Sequence, residues 1–179
     1  MRRFLLVDDE INVLHALQRV IRHCGIEEEL RVEIYTDPQA ALARGREVVF
    51  DIVISDFRMP AMSGVEFLRA YRAIQGDSVR MILSASTEFE TVMSAINEAE
   101  VFRYLAKPWL PEEIGETVKL ALARRDQARE DLRLVEELRS QLGQMTPQEL
   151  EAKRLEEQEP GITHVNWGPD GSVHLDEES

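Results

Sequence analysis

The chain has 179 residues, enough for one ordinary domain with a modest appendage and too few for two domains of average size. With 44% hydrophobic and 31% charged residues the composition is that of a globular protein, and 6% aromatic residues argues against a carbohydrate-binding or base-stacking surface. The net charge of −13 is unevenly spread: residues 1–125 carry 16 basic and 20 acidic side chains, residues 126–179 carry 5 and 14, so neither part suits the neutralisation of nucleic-acid phosphates.

In chain order, residues 4–7 (Phe4, Leu5, Leu6, Val7) form an apolar run of the kind buried on both faces of a parallel sheet, too short for a signal-peptide core. Val13, Leu14, Leu17, Val20 and Ile21 follow at helical spacing. The one cysteine, Cys24, excludes an intrachain disulfide and reads as a structural thiol of a reducing compartment. His15 and His23 read as ordinary surface or packing residues. Leu30–Tyr35 alternates as a strand does, and Asp37-Pro38 supplies an N-cap and a first-turn proline for an Ala-rich helix ending near Gly45. Residues 48–55 form a third strand, Gly64–Ile74 a helix, 79–83 a fourth strand, 88–99 a helix and 101–105 a fifth strand, before a last long helix after Pro108 and Pro111. Such alternation predicts an α/β fold, a five-stranded doubly wound parallel sheet with helices on both faces. No stretch approaches a membrane span, so a cytoplasmic protein is expected, without membrane contact.

From residue 111 a helical pattern runs to about residue 142 and ends at Gly143. Ile114, Val118, Ala121, Arg125, Ala128, Leu132, Val135, Arg139 and Leu142 lie along it at alternating spacings of four and three, a heptad seam interrupted by two arginines. At about 1.5 Å per residue the helix spans roughly 45 Å, more than one domain covers. A parallel coiled-coil homodimer through residues 111–143 is expected, with a folded-back αα-hairpin as the alternative. The second helix of that hairpin, residues 146–159, would start at the capping box Thr146-Pro147-Gln148-Glu149. Beyond the breaker Glu159-Pro160-Gly161, residues 161–176 read as a β-hairpin about the turn Gly168-Pro169-Asp170-Gly171. Val165 and Trp167 would face Leu175 and Val173, with His164, Asn166 and His174 on the solvated face. A two-stranded hairpin is marginal alone, so it should dock on the helices or on another protein.

Ligands of such sheets bind beyond the carboxyl ends of the strands, where the strand order reverses. The first strand ends in Asp8, Asp9 and Glu10, the third in Asp56, the fourth in Ser84, and the fifth is followed by Lys107. Carboxylates converging at one rim repel, and persist as anions when a cation sits among them; an all-oxygen set suits Mg²⁺. A lysine beside them can hold a further anion, and the whole set surrounds a position where a phosphoryl group could be accepted onto a carboxylate oxygen. Taken singly, the first three acids could merely cap a helix, Asp56 could be a loop acid, Ser84 a strand-end hydroxyl, Tyr104 a core ring and Lys107 a solvated cation. Joint placement at the strand ends reverses those odds.

The ordered set resembles the receiver domains of bacterial two-component response regulators, over roughly residues 1–125. The landmarks are the acidic pair, the stretch Asp56-Phe57-Arg58-Met59-Pro60-Ala61-Met62-Ser63-Gly64, Ser84-Ala85 and Lys107-Pro108, with 47, 28 and 23 positions separating Asp9, Asp56, Ser84 and Lys107. The resemblance implies the flavodoxin-like receiver fold, with Asp56 as phosphoacceptor. It also implies Mg²⁺ held by Asp9, Asp56 and the backbone carbonyl of Arg58 with Asp8 assisting, and Ser84 and Lys107 gripping the phosphoryl oxygens. Ala85 matches a position kept small for the phosphoryl group, Tyr104 the switch aromatic, and Arg58 and Ser86 positions that tune dephosphorylation. Met59-Pro60 and Gly64 shape the loop and begin the next helix. The stretch Arg103-Tyr104-Leu105-Ala106-Lys107-Pro108-Trp109 is similar to receivers joined to cyclic-dinucleotide enzymes or hydrogenase-type regulators.

The implied partners are a sensor histidine kinase or phosphotransfer protein, a second copy of the chain, and a downstream protein target. The expected function is a response regulator whose phosphorylation changes dimerisation or partner binding. It would not be an enzyme acting on other molecules. The alternatives are a phosphate shuttle or sink without its own output, and a transcription regulator acting through a partner, since the acidic tail offers no basic recognition helix for direct nucleic-acid contact.

Overall fold

The computed structural model describes residues 1–85, 100–141, 143, 146–158, 166–167 and 173–174. Strands β1 (Arg2–Val7), β2 (Leu30–Tyr35), β3 (Ile52–Asp56), β4 (Val79–Ala85) and β5 (Arg103–Lys107) form one parallel sheet in the order β2-β1-β3-β4-β5. The helices are α1 (Ile11–Arg22), α2 (Pro38–Glu47), α3 (Gly64–Ile74), α4 (Pro111–Gln141) and α5 (Pro147–Gln158). This is the doubly wound arrangement expected from the alternation of apolar runs. The order reverses at β1, between β2 and β3, which opens a crevice beyond the carboxyl ends of β1 and β3.

Period-two alternation within each buried strand divides the core. Phe4, Leu6, Ile52, Ile54, Met81 and Leu83 pack with Leu14, Leu17 and Ile21 of α1 and Ile114, Val118 and Ala121 of α4. Leu5, Val7, Val53 and Ile82 face the other way, against Ala41 and Leu42 of α2 and Val65, Phe67, Leu68 and Tyr71 of α3. Strands covered on both sides have no polar face, which is why β1 reads as an unbroken apolar run.

Several strand bounds differ from expectation: β1 begins at Arg2 rather than residue 4, β3 runs to Asp56 rather than 55 and β4 to Ala85 rather than 83, and two larger shifts have a visible cause. β3 begins at Ile52 rather than residue 48 because a side chain supplies the bonds a strand partner would have provided. Gln75, the C-cap of α3, donates to the carbonyls of Gly45 and Val48 at 2.5 and 2.6 Å and accepts from the Phe50 amide at 3.0 Å. The loop is thereby pinned outside the ladder. β5 begins at Arg103 rather than residue 101 and runs on to Lys107, which pairs with Ala85. Val101 is buried as a packing residue ahead of the strand, and the charged ends of β5 carry no apolar signal.

The long helix matches its expected span, and Gly143 beyond it has the left-handed φ of 71° that favours glycine after a helix. Its two halves behave differently. Ile114, Val118, Ala121 and Arg125 of the seam are buried on the sheet side, whereas Ala128, Leu132 and Val135 are exposed. The seam therefore serves the domain core in its first half and lies uncovered in its second. α5 starts at the expected box, with Thr146 Oγ1 accepting from the Glu149 amide and Glu149 accepting from the Thr146 amide. It folds back along α4 through the ion pairs Lys153–Glu136 and Arg154–Glu137, the contact expected of the αα-hairpin alternative.

Of the expected β-hairpin, β6 (Asn166–Trp167) and β7 (Val173–His174) pair antiparallel with Trp167 opposite Val173. His164, Val165, the turn at residues 168–171 and Leu175 lie outside the described residues, as do the helix expected at 88–99, Ser86 and Leu142. Among the described residues, no helix is long and apolar enough to cross a membrane.

Candidate functional site

β1 and β3 end side by side at the crevice, with Val7 in register with Ser55, so Asp8 and Asp56 emerge as neighbours. β4 lies beside β3 and β5 beside β4, which brings Lys107 to the same rim from two strands away. Each strand is held by the core beneath it, and the polar residue at its end is placed by that packing rather than by local propensity.

The acids are drawn together. One oxygen from each of Asp8, Asp9 and Asp56 lies within 4.8 Å of the others. Asp8 and Asp56 are buried, at 1% and 7% exposure, and Asp9 is exposed. Lys107 Nζ reaches into this group and donates to Asp8 Oδ2 at 2.7 Å and Asp56 Oδ1 at 2.6 Å. Asp8 Oδ1 also accepts from the Glu10 amide at 2.9 Å. Asp56 Oδ2 accepts from the Arg58 amide at 2.8 Å, so both carboxylate oxygens are oriented.

Burial pushes the Asp56 carboxyl above its usual range, with the nearby Asp8 charge adding to that; Lys107 and the Arg58 amide pull against it. For Lys107, burial alone would lower the pKa, but the bonds to Asp56 and Asp8 outweigh it and hold the ammonium above its ordinary value. Two anions and one cation thus share one partly dry rim. The cluster is all-oxygen and compact, a donor set that suits a hard divalent cation such as Mg²⁺.

Ser84 is buried near the end of β4, its hydroxyl 3.4 Å from the Ala85 carbonyl. Tyr104 lies on the neighbouring strand, and its hydroxyl donates to the carbonyls of Ser84 and Ala85 at 3.2 and 3.3 Å. The Tyr104 hydroxyl is therefore tied to the end of β4 that carries Ser84. Among the described residues, Asp8, Asp9, Asp56, Arg58, Ser84 and Lys107 lie at or next to the carboxyl ends of their strands on this side of the sheet, and Tyr104 reaches the end of β4 through its hydroxyl. Ser86 lies outside the described residues. At the rim, Asp8 is the more deeply engaged of the acidic pair, and Arg58 enters through its amide.

One contributor was read from the sequence only as a loop-shaping helix start, and another, Ser63, was given no role. Gly64 starts α3 directly against the loop: a Cβ there would stand 2.0 Å from the Asp56 carbonyl oxygen, and the Gly64 amide donates to the Phe57 carbonyl at 2.9 Å. The glycine is thus a space requirement of the Asp56 loop as well as a helix start. Ser63 caps α3, accepting from the Glu66 amide at 3.2 Å while Glu66 accepts from the Ser63 amide at 2.9 Å. The pattern Ser-x-x-Glu before an apolar helical run was the available signal.

A parallel sheet with strand order 2-1-3-4-5 and a carboxylate and lysine cluster at its switch point defines a doubly wound α/β domain with its charged site at the carboxyl rim. The family model for the response regulator receiver domain matches residues 4–119, and the chain belongs to that family. Among its relatives, it is 42% identical over 118 residues to the hydrogenase transcriptional regulatory protein HoxA of Bradyrhizobium diazoefficiens, covering 66% of this chain and 23% of HoxA. It is 34% identical over 123 residues to the transcriptional regulatory protein PrrA of Mycobacterium leprae, covering 69% of this chain and 51% of PrrA. The chain therefore spans about a quarter to a half of the length of these curated relatives. Among solved structures, it resembles the signal receiver domain of an HD domain-containing protein from Pseudomonas fluorescens Pf-5, with a TM-score of 0.65 and 28% identity, covering 72% of this chain and 92% of that one.

Proposed function

We infer that the chain is a cytoplasmic phosphoacceptor in two-component signalling, taking a phosphoryl group on Asp56 from the phosphohistidine of a sensor kinase or phosphotransfer protein. The observation that carries this reading is the Lys107 ammonium bonded to both Asp8 and Asp56 at the switch point of a receiver sheet. A carboxylate oxygen of Asp56 forms a bond to phosphorus as the phosphorus–nitrogen bond of the donor breaks, and the electron pair of that bond returns to the imidazole. Lys107, freed from sharing its charge with an anionic Asp56, is within reach of the transferred oxygens, and Ser84 offers a hydroxyl donor from the next strand. Asp8, Asp9, Asp56 and the Arg58 carbonyl would hold Mg²⁺, which when bound offsets negative charge on the transferred group.

The output is a change in protein contact. Once Ser84 turns to the phosphoryl group, the carbonyls of Ser84 and Ala85 shift and Tyr104 loses its two acceptors there. A rearranged Tyr104 alters the face of β5 and the start of α4. The exposed apolar seam residues Leu132 and Val135 of distal α4 favour this reading over a shuttle without output, because they offer a second copy of the chain an apolar face. A downstream protein partner is the other recipient of the signal.

Intact mass after incubation with acetyl phosphate and Mg²⁺ tests the acceptor: a gain of about 80 Da on the parent and none on Asp56→Asn is expected, the mass of one phosphoryl group on one carboxylate. A gain on both would move the acceptor elsewhere. Sedimentation with and without acetyl phosphate tests the output, and an unchanged oligomeric state would overturn dimerisation as the readout.

A further inference from the structure

At the amino-terminal edge of the sheet, opposite the acid rim, lies a cavity of about 550 Å³ whose charged wall is Arg80, Arg124 and Arg125, with Asp77 and Glu100 beside them. A second cavity of about 280 Å³ shares Asp77 and Arg125 with it and is lined on its far side by Glu156 and Glu157 of α5. Arg125 thus stands where the two meet.

Arg125 is 3% exposed, and among the described residues its Nε and Nη1 have no hydrogen-bond partner. The nearest carboxylate, Asp51, approaches Nε only to 3.9 Å, and its other oxygen already accepts from the Arg3 amide. Burial and the neighbouring Arg129 push the Arg125 pKa down, as expected for a cation short of acceptors. A buried guanidinium with two unmet N–H groups is costly, and an anion supplying oxygens is what relieves that cost.

The surroundings narrow the ligand. Arg80 donates to the carbonyls of Gly76 and Ser78 at 2.9 and 2.8 Å and lies 3.8 Å from Glu100, which also pairs with Arg72, so the Arg80 guanidinium is already engaged on this side of the cavity. Phe102 has Arg103 and Arg124 over its ring, with each guanidinium carbon just under 6 Å from the ring centre, so its π-surface is engaged by cations. Among the described residues, that leaves Arg124 and Arg125 as charged donors and no open aromatic face for a base. We propose that this cavity binds a small, multiply charged, non-aromatic anion through phosphate or carboxylate oxygens, with Arg125 and Arg124 as its donors. The acidic α5 opposes it: the Glu157 charge acts on Arg125 from the adjoining cavity and competes with the ligand. The site stands on other residues than the phosphoacceptor rim and does not depend on that reading.

The test is a titration of the isotope-labelled full chain, followed through arginine side-chain and backbone resonances. Inorganic phosphate, pyrophosphate and citrate are the probes, each taken to about 10 mM, a range that reaches millimolar dissociation constants. Saturable shifts at Arg125 are expected with at least one probe, pyrophosphate leading if phosphate is the preferred group and citrate if carboxylate is. Arg124→Gln, an exposed substitution, should weaken binding about tenfold, the scale of one charge-assisted hydrogen bond. Glu157→Gln should tighten it, Arg103→Gln, outside the cavity, should leave it unchanged, and Asp56→Asn should bind as the parent does. No saturation with any probe, shifts confined to Lys107 and its neighbours, or full affinity in Arg124→Gln would each overturn the proposal.

Discussion

The carboxyl rim of the sheet and the distal half of α4 are opposites. At the rim the polar groups are crowded, partly buried and mutually bonded, with Lys107 serving Asp8 and Asp56 at once. Along distal α4 the apolar groups are spread out and uncovered, with Leu132, Val135 and Leu138 at 38%, 43% and 58% exposure. The rim groups bond one another within one chain, whereas among the described residues the distal seam has no surface opposite it. A substitution at the rim should therefore be felt in folding, and one on the seam in assembly.

The largest effect is expected where the rim tolerates no added atom. Gly64→Ala would push a methyl group against the Asp56 carbonyl, 2.0 Å away, so backbone must move. Urea unfolding should show a loss of about 3 kcal/mol or more, at the upper end of overpacking. A loss within experimental error would mean that the loop yields freely and that the rim is less tightly built than its contacts imply.

Next comes the charge balance. Lys107→Met leaves Asp8 and Asp56 facing each other without their shared cation. Removing one partner of a fully buried pair costs about 3–5 kcal/mol, and the partial exposure of Lys107 reduces this to about 2 kcal/mol. Added Mg²⁺ should recover part of the loss by restoring positive charge. Equal loss with and without Mg²⁺ would sharpen the comparison against a cation site.

A smaller effect belongs to the edge of the sheet. Burial alone would raise the Glu33 pKa, but Arg44, at 2.9 Å, outweighs it and holds the carboxyl below its ordinary value. A lowered folded-state pKa stabilises above the unfolded value and is lost as pH falls through the folded one, so this contribution fades on the acid side of about pH 4.3. Glu33→Gln should cost up to about 1 kcal/mol at neutral pH and flatten the acid limb of the stability profile, leaving the rim unaffected. Parallel acid limbs for parent and variant would show that the pair contributes nothing.

The seam should give the smallest change in folding and the clearest change in association. Leu132→Ser and Val135→Ser are expected to alter unfolding free energy by no more than about 0.5 kcal/mol, as exposed sites do, while shifting sedimentation toward the monomer. A large stability loss in dilute monomer would reveal intramolecular packing and erase the contrast with the rim.

The fold was legible wherever adjacent residues carried the periodicity. β2 and α3 agree with the reading residue for residue, because Leu30–Tyr35 alternates and Gly64–Ile74 carries a clear apolar face. Legibility failed where a tertiary bond replaced a local signal. Gln75, more than twenty residues away in sequence, holds residues 45–50 out of the sheet, and no propensity at Val48 announces it. The candidate site was visible as an ordered series of strand-end residues, yet the unequal shares of Asp8 and Asp9 were not, since adjacent acids look alike until one is buried.

What the amino-acid order determined by itself was the alternation of buried strands and amphipathic helices and the polar residue at each strand end, because hydrophobic periodicity is local. What only the tertiary structure decided was which of those polar groups meet. Lys107 binds Asp8 across 99 positions, Gly64 must stay bare to clear Asp56, and Arg125 of the seam is turned into the domain with two donors unmet. Burial, charge pairing and steric clearance between distant segments exist only once the strands are laid side by side.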